Sequence, residues 1–176
     1  MVSSMTLDFT RFPAWAGMIF CLVPALLWSP VPAAAAAGQE IRVKDGDSFV
    51  LNGEEIRLWG IDAPEFFQTC RNQAGQDYSC GRQAKDHLRD LIGDRAIRCE
   101  ATTRAKNETR TVARCFVGTD DLGQEMVRSG WAVEYKYFSK GVYTADELQA
   151  KNSKSGLWSG TFQNPRDWRK ARENRR

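Results

Sequence analysis

The strongest constraint on the fold of this chain is a pair of tight-turn dipeptides, Asp45-Gly46 and Asn52-Gly53, set close together in the sequence. Each stands between two short runs in which apolar and polar residues alternate. Dipeptides of this kind favour the two-residue turns that join antiparallel strands. The three runs, 41–43, 48–51 and 55–59, are therefore predicted to form an antiparallel meander.

A helix and a second pair of strands are predicted after the meander. Apolar residues recur at helical spacing on one face of the segment 81–93, and charged residues occupy the other face. Two β-like runs, 96–102 and 109–117, then flank a polar turn at 104–108. This pattern adds two strands to the three of the meander.

Two further helices complete the predicted secondary structure. The first covers 122–129 and ends before Gly130. The second starts at a capping box formed by Thr144 and Glu147 and stops at Gly156. Because no β-α-β spacing recurs, a parallel α/β sheet is disfavoured. We predict an α+β, mainly β fold: a five-stranded Greek-key barrel of the OB type with about three helices.

Residues 1–37 have the pattern of an export signal. Arg11 precedes an apolar stretch over 14–28, and residues 33–37 are alanines that offer A-x-A cleavage sites. The apolar stretch is short for a membrane span, which disfavours the alternative of an uncleaved anchor. We therefore expect an extracytoplasmic protein, periplasmic or secreted, with no stable membrane association after the signal is cleaved.

The mature chain is predicted to be one domain with a basic end. With 176 residues, a net charge of +3 and 11% aromatic residues, the chain does not have the composition of a disordered protein. We assign residues 38–164 to a globular domain, expected to be a monomer, and residues 165–176 to a basic C-terminal tail. For that tail a solvated end is favoured over an arm that binds phosphate.

Four cysteines remain after residue 37, at positions 70, 80, 99 and 115. In an oxidising compartment they can pair in three ways. Cys70 and Cys80 bracket a short polar segment, whereas Cys99 and Cys115 lie in two β-like runs on either side of one turn. We therefore predict disulfides 70–80 and 99–115. A zinc site is the disfavoured alternative, because no Cys-x-x-Cys pair is present.

The possible chemistry is limited by the presence of a single histidine, His87. It borders the apolar face of the predicted helix, so a half-exposed helix residue is a better interpretation than a ligand or base. Three carboxylates instead lie close together in sequence: Asp47 after the first turn, then Asp62 and Glu65. Oxygen ligands of this kind suit a hard cation such as Ca²⁺, although each acid alone is typical of a turn or loop.

Two arginines extend this set of acids. Arg57 alternates with Ile56 and Leu58 on the third predicted strand, so it leaves the core if those two residues enter it. Arg110 opens the strand after the 104–108 turn. Alone, each arginine would be interpreted as one half of a surface ion pair. A cation, a carboxylate base and two guanidinium groups together are what in-line attack on a phosphodiester requires.

One stretch of the chain, Ile-Arg-Leu-Trp-Gly-Ile-Asp-Ala-Pro-Glu at 56–65, is a sequence motif highly specific for one protein family. Four other stretches match the same family and occur in the same order as in that family: 43–50, 80–84, 109–115 and 143–158. Through them the chain resembles the thermonuclease family typified by staphylococcal nuclease, over nearly the whole mature sequence. The resemblance implies an OB-type barrel with three helices and Ca²⁺-dependent hydrolysis of DNA and RNA that leaves 3′-phosphates.

The resemblance also assigns roles by position. It places the metal ligands on Asp47, Asp62 and the backbone carbonyl of Ala63, where the family usually has threonine. A carbonyl ligand survives that change of side chain. The catalytic roles that it implies belong to one glutamate and two phosphate-binding arginines: Glu65, Arg57 and Arg110.

The chain departs from the family just before Arg110. Where the family commonly has Asp-x-Tyr-Gly-Arg, this sequence has Lys-Asn-Glu-Thr-Arg at 106–110. An aromatic residue able to stack on a base becomes Glu108, and a turn glycine becomes Thr109, which disfavours positive φ. The departure favours a second hypothesis, a catalytically weak or inactive nuclease-fold module that binds nucleic acid or a protein partner. A purely structural extracellular domain is a third.

Overall fold

The computed structural model describes residues 38–102 and 110–175. The predicted export signal at 1–37, and the predicted turn at 104–108 with Thr109, lie outside the described residues. Within the described ranges, none of the helices has the length and apolar character needed to cross a membrane.

Short strands and helices alternate along the chain. The strands are β1 (Ile41–Asp45), β2 (Ser48–Leu51), β3 (Glu54–Leu58), β4 (Ile61–Asp62), β5 (Cys70–Arg71), β6 (Asp77–Tyr78), β7 (Ile97–Ala101), β8 (Thr111–Val117), β9 (Asp120–Asp121) and β10 (Val133–Glu134). The helices are α1 (Cys80–Ile92), α2 (Leu122–Arg128), α3 (Lys136–Ser139), α4 (Thr144–Ser153) and α5 (Pro165–Glu173), with a 3₁₀ turn at Gly156–Ser159.

The five predicted strands form the main path of one sheet, in the order β1-β2-β3-β8-β7. Neighbouring pairs are antiparallel except β3 and β8, which run parallel. A meander joined through a parallel pair to a second hairpin is consistent with an OB-type Greek-key barrel, so the predicted fold class is confirmed. The pairing of β9 with β8 adds a two-residue strand that the alternation pattern did not predict.

Gln39 joins the two edge strands of this path at one end. Its side-chain amide donates to the carbonyl of Ile97 at 3.0 Å and accepts from the Ile97 N–H at 2.8 Å. Ile97 begins β7, and Gln39 lies just before β1. The two bonds imitate the exchange between paired strand residues, so a side chain continues the ladder where the backbone does not.

The core lies between the sheet and the helices α1 and α2. The buried side chains of α1 include Ala84, Leu88 and Ile92, which share the face predicted from their spacing. The sheet contributes alternate residues, and Ile56 and Leu58 of β3 are 3% and 1% exposed. Arg57, between them, projects from the opposite face of the strand, as the alternation predicted.

Among the described residues, three of the five α-helices, α1, α2 and α4, correspond to the predicted ones. The single turn α3 and the C-terminal α5 were not predicted. Helix α5 begins where the side chain of Asn164 accepts a hydrogen bond from the Arg166 N–H at 3.1 Å and Pro165 takes the first helical position. Asparagine followed by proline is a known pattern for a helix start. Most of the segment interpreted as a basic tail is therefore helical.

The predicted capping box at the start of α4 does not form. Thr144 Oγ1 donates to Glu134 Oε2 at 2.6 Å, and Glu147 Oε1 accepts from the backbone N–H of Glu134 at 3.0 Å. Thr144 thus serves the buried carboxylate of Glu134, and the buried carboxylate of Glu147 takes the Glu134 N–H, because buried carboxylates without hydrogen-bond partners are costly. The helix also ends at Ser153, before the predicted stop at Gly156.

Both predicted disulfides are present. Cys70–Cys80 joins β5 to the first residue of α1, and Cys99–Cys115 links residues that face each other across β7 and β8. Crosslinks of this kind are typical of an oxidising compartment. The first disulfide fastens the segment after the 56–65 stretch to α1.

We expect peptide mapping after non-reducing digestion to recover the linkages 70–80 and 99–115. Replacing Cys99 and Cys115 together by alanine should lower the free energy of unfolding by about 2–3 kcal/mol, because the open chain regains loop entropy when it unfolds. Urea unfolding of the double variant beside the parent measures this loss. A Cys80–Cys99 peptide, or four free thiols in exported protein, would contradict the pairing.

Candidate active site

A cavity of about 490 Å³ opens where β3, the loop after β4, the start of β8 and α5 meet. The predicted catalytic residues Arg57, Glu65 and Arg110 all line it. Strand pairing explains how the two arginines meet: Arg57 lies opposite Val112 in the parallel β3–β8 register, and Arg110 immediately precedes β8. The sheet topology thus brings residues from distant parts of the sequence to one cavity.

The two predicted acidic metal ligands converge beside this cavity. Asp47 and Asp62 are 4% and 3% exposed. Arg57 Nη2 lies 2.8 Å from Asp47 Oδ2 and 3.0 Å from Asp62 Oδ1, so both carboxylates approach a single nitrogen. The Ala63 N–H donates to Asp47 Oδ2 at 3.4 Å, which places the third predicted ligand residue against the same carboxylate.

The β1–β2 turn that carries Asp47 is held by its own residues and by close packing. Asp45 Oδ1 accepts hydrogen bonds from the Asp47 N–H at 3.2 Å and from Ser48 Oγ at 2.7 Å. At Gly46 a Cβ atom would lie 2.8 Å from the Cβ atoms of both Ala63 and Ala84. Glycine is therefore required here because the turn approaches its neighbours closely.

The electrostatics of the aspartate pair favour an added positive charge. Burial raises the pKa of the Asp47 carboxyl well above its usual range; the Arg57 guanidinium opposes this shift, while Asp45 and Asp62 add to it. Burial lowers the pKa of Arg57, but Asp47 and Asp62 raise it by more, so the net shift is upward. At Asp47, the guanidinium of Arg57 thus offsets only part of the cost of burying the carboxylate.

The aspartates fit a hard cation on the evidence of their geometry. One oxygen from each already lies within hydrogen-bond distance of the same nitrogen, and both groups are hard oxygen donors. Across residues 38–102 and 110–175, no group of three or more His, Cys, Asp or Glu side chains could hold a metal ion. The carbonyl of Ala63 is the predicted third ligand.

The loop that carries Glu65 is fixed by two contacts with its backbone. The side chain of Gln68, which is fully buried, accepts a hydrogen bond from the Glu65 N–H at 3.3 Å. On the other side, Gly81 of α1 packs against the loop so closely that a Cβ atom would lie 1.8 Å from the Glu65 carbonyl oxygen. The Cys-Gly stretch at 80–81, which is part of the resemblance to the family, therefore supports the loop that carries Glu65.

Arg169 is a site residue that the sequence analysis did not predict. Its Nη1 lies 2.9 Å from Asp62 Oδ1 and 2.8 Å from Glu65 Oε1, and its Nη2 lies 3.0 Å from Asp62 Oδ2. Burial opposes its charge, but the hydrogen bonds and charges of Asp62 and Glu65 raise the pKa of Arg169 above its usual value. Arg169 is thus bound to two acids of the site, whereas the sequence favoured a solvated end for residues 165–176.

Other residues complete the cavity or stay away from it. Trp59, Tyr135 and Phe138 contribute aromatic surface to its wall. His87 is not among its lining residues; it lies half-buried on α1 with its ring centroid 6.3 Å from that of Trp131. Burial lowers the pKa of His87.

Several known proteins are similar in sequence to this chain. The chain is 32% identical over 139 residues to the succinoglycan biosynthesis protein ExoI of Rhizobium meliloti (strain 1021), covering 78% of this chain and 72% of that protein. It is 27% identical over 137 residues to an uncharacterized endonuclease of Haemophilus influenzae (strain ATCC 51907 / DSM 11121 / KW20 / Rd), covering 74% and 71%.

A fungal relative is longer than this chain. The probable endonuclease lcl3 of Sclerotinia sclerotiorum (strain ATCC 18683 / 1980 / Ss-1) is 32% identical over 128 residues, which are 65% of this chain but only 47% of that protein. The chain thus spans about half the length of the fungal protein. A scan against protein families matches residues 55–160 to the staphylococcal nuclease homologue family. The match confirms the resemblance to thermonucleases, and the chain belongs to the staphylococcal nuclease homologue family.

Proposed function

We propose that this protein is an exported, Ca²⁺-dependent nuclease that hydrolyses phosphodiester bonds of DNA or RNA and leaves 3′-phosphates. The observation that carries the proposal is the single cavity that collects Glu65, Arg57 and Arg110 beside a buried pair of aspartates. Membership of the family, and relatives named endonucleases, support a nuclease. The disulfides support an oxidising compartment.

The three cavity residues have distinct roles in this proposal. Glu65 accepts a proton from the attacking water, whose oxygen bonds to phosphorus as the bond from phosphorus to the 5′ oxygen breaks; the 5′ oxygen leaves as a hydroxyl after taking a proton from solvent. Arg57 and Arg110 donate hydrogen bonds to the nonbridging phosphate oxygens, where negative charge accumulates in the transition state. The planar donors of a guanidinium suit this task because they can contact two oxygens at once.

Asp47, Asp62 and the carbonyl oxygen of Ala63 would hold the cation. A bound Ca²⁺ supplies a positive charge that neutralises the phosphate and lowers the barrier to attack by a weak nucleophile. Asp47 and Asp62 already share the charge of Arg57, and a cation held by them would add to that countercharge.

The aromatic wall of the cavity supports nucleic acid as the substrate. Tyr135 and Phe138 line the cavity, with ring centroids 5.0 Å apart in an edge-to-face arrangement. Phe138 is 46% exposed and the adjacent Tyr137 is 70% exposed. Exposed aromatic rings beside arginines are suited to stacking with bases while the arginines contact the phosphates.

We expect Ca²⁺ to raise the melting temperature of the protein and Asp47→Asn to abolish that rise. A ligand at 100 times its Kd stabilises a folded protein by about 2.7 kcal/mol, and the variant removes one of the chelating carboxylates. Because burial raises the pKa of Asp47, its ionised form disfavours the metal-free fold at neutral pH. Without metal, Asp47→Asn should therefore melt above the parent.

Thermal unfolding with Ca²⁺ and with chelator checks both expectations. Asp90→Asn is the matched control, because Asp90 is an exposed aspartate of α1 that does not line the cavity. It should keep the full response to Ca²⁺. A response to Ca²⁺ that persists in Asp47→Asn, or full cleavage activity in excess chelator, would contradict the metal assignment.

The proposed function is tested by incubating purified protein with plasmid DNA and with RNA, in Ca²⁺ and in chelator. We expect cleavage only with the cation, and DNA fragments whose 3′ ends terminal transferase extends only after phosphatase treatment. Binding of nucleic acid without cleavage under any divalent cation would support the second hypothesis, a nuclease-fold module that only binds.

A further inference from the structure

A third arginine reaches the cavity from the C-terminal helix. Arg169 lines the cavity together with Arg57 and Arg110, and its guanidinium contacts both Glu65 and Asp62. The residues matched to the family end at 160, so this contact comes from a part of the chain beyond the match.

The segment that leads into α5 is held in place by contacts that do not involve Arg169. Gln68 Nε2 donates to the carbonyl of Gln163 at 2.7 Å, while the same side chain accepts from the Glu65 N–H. Arg71 and Thr161 exchange two backbone hydrogen bonds of 2.9 Å, which fix the preceding segment to β5. Because other residues anchor the chain just before α5, Arg169 is not needed to bring the start of this helix to the site.

We propose that Arg169 is a positioning residue for Glu65 in the cleavage reaction. The inference rests on the proposed function, in which Glu65 accepts the proton. Glu65 lies outside any strand or helix, and its side chain is 31% exposed, so regular structure alone does not fix the orientation of its carboxylate. A guanidinium that bridges Glu65 to the buried Asp62 supplies that orientation.

The size of the effect follows from how sharply proton transfer depends on geometry. A displacement of about 1 Å at a reacting group can cost about 10²-fold in rate. Arginine suits this position because its planar fork contacts two carboxylates simultaneously, whereas the single ammonium of lysine is a point charge without that geometry. The conservative substitution should therefore recover only part of the rate.

The first test measures kcat and KM for DNA cleavage by Arg169→Ala and Arg169→Lys. We expect Arg169→Ala to lower kcat by about 10–100-fold with KM changed by less than about threefold, and Arg169→Lys to fall between it and the parent. Lys170→Ala is the matched control, since it removes a positive charge from an exposed position of the same helix. It should retain the parental kcat and KM.

The second test asks whether Arg169 acts through Glu65. In a Glu65→Gln background, Arg169→Ala should cause no further loss of kcat, because the group that it positions no longer accepts the proton. Parental kcat in both Arg169 variants, or losses that are additive with Glu65→Gln, would overturn the inference. So would an equal rise in KM for Arg169→Ala and Lys170→Ala, which would indicate a basic arm that binds phosphate.

Melting curves recorded for every variant separate folding from catalysis. If Arg169→Ala does not fold, the comparison of Arg169→Lys with the parent decides the question. A parent that never cleaves nucleic acid refutes the proposed function, whereas a parent that cleaves at the same rate as both Arg169 variants refutes only this inference.

Discussion

Replacing Arg57 by alanine is expected to lower the rate of DNA cleavage by about 10²–10³-fold, as the loss of other preorganised transition-state donors does. The arginine lines the cavity and is only 17% exposed, so its charge acts in a largely desolvated site. Arg110→Ala should cause a loss of similar size. In both variants kcat should fall more than KM rises, because the donors act mainly on the transition state.

Glu65→Gln provides the complementary change. It removes a base and a negative charge without altering shape, so we expect the cleavage rate to fall by about 10²–10⁴-fold while nucleic-acid binding persists or tightens. Binding measured with a labelled oligonucleotide, beside the rate of cleavage, separates the two effects. A module that only binds would show a salt-dependent loss of affinity in Arg57→Ala and no rate to change in Glu65→Gln.

Two further variants test whether Arg57→Ala is slow only because it leaves buried carboxylates unpaired. Arg57 is paired with Asp47 and Asp62, so removing it also leaves two buried carboxylates without their partner. Arg57→Lys keeps a positive charge there but loses the planar fork, and should still be slow. Arg42→Ala removes an exposed arginine from β1 and should cut at the parental rate. Parental rates in Arg57→Ala, Arg110→Ala and Glu65→Gln would show that other residues carry the activity.

Gly81→Ala is expected to destabilise the protein and to lower its activity together. The new Cβ atom would lie 1.8 Å from the Glu65 carbonyl oxygen and 2.9 Å from the Phe66 carbonyl carbon. Both are backbone atoms, so no change of rotamer can relieve the overlap. Alanine is favoured over glycine within a helix by about 1 kcal/mol, but overpacking of this kind costs about 1–3 kcal/mol, and the steric term should dominate.

The loss of activity in Gly81→Ala should be about 10²-fold, because the loop that moves is the one that carries Glu65. Gln83→Ala is the control, since it places alanine at an exposed position of the same helix. Urea unfolding and cleavage rates measured on both variants check the expectation. Unchanged stability and activity in Gly81→Ala would mean that the loop and α1 are not in close contact in solution.

The parts of the fold that were predictable from sequence are those set by local rules. Asn52-Gly53 forms the predicted tight turn, and alternation along β3 separates Arg57 from the core residues on either side of it. The first turn forms one residue later than predicted, at Gly46-Asp47, because Asp45 still pairs with Ser48. The convergence of Arg57 with Glu65 was accessible only through the resemblance to a family. No local pattern predicts a parallel pairing between β3 and β8.

The failures of the sequence analysis come from long-range contacts that override local preference. Thr144 and Glu147 have the spacing of a capping box, but the buried Glu134 recruits both side chains. Asn164-Pro165 has the sequence pattern of a helix start, so the existence of α5 could have been predicted. What could not be read is where that helix docks, and hence that Arg169 meets the acids of the cavity.

The parallel pairing of β3 with β8 has a consequence for the order in which the protein folds. Thr111 Oγ1 donates to Glu54 across this pair although the two residues are 57 positions apart in sequence. Pairing at that separation carries a loop-closure cost that the adjacent strands of the meander avoid, so it is expected to form later. A nascent or refolding chain should therefore assemble the turn of Asp47 and the strand of Arg57 first, and gain a cavity able to cleave only when β8 joins them.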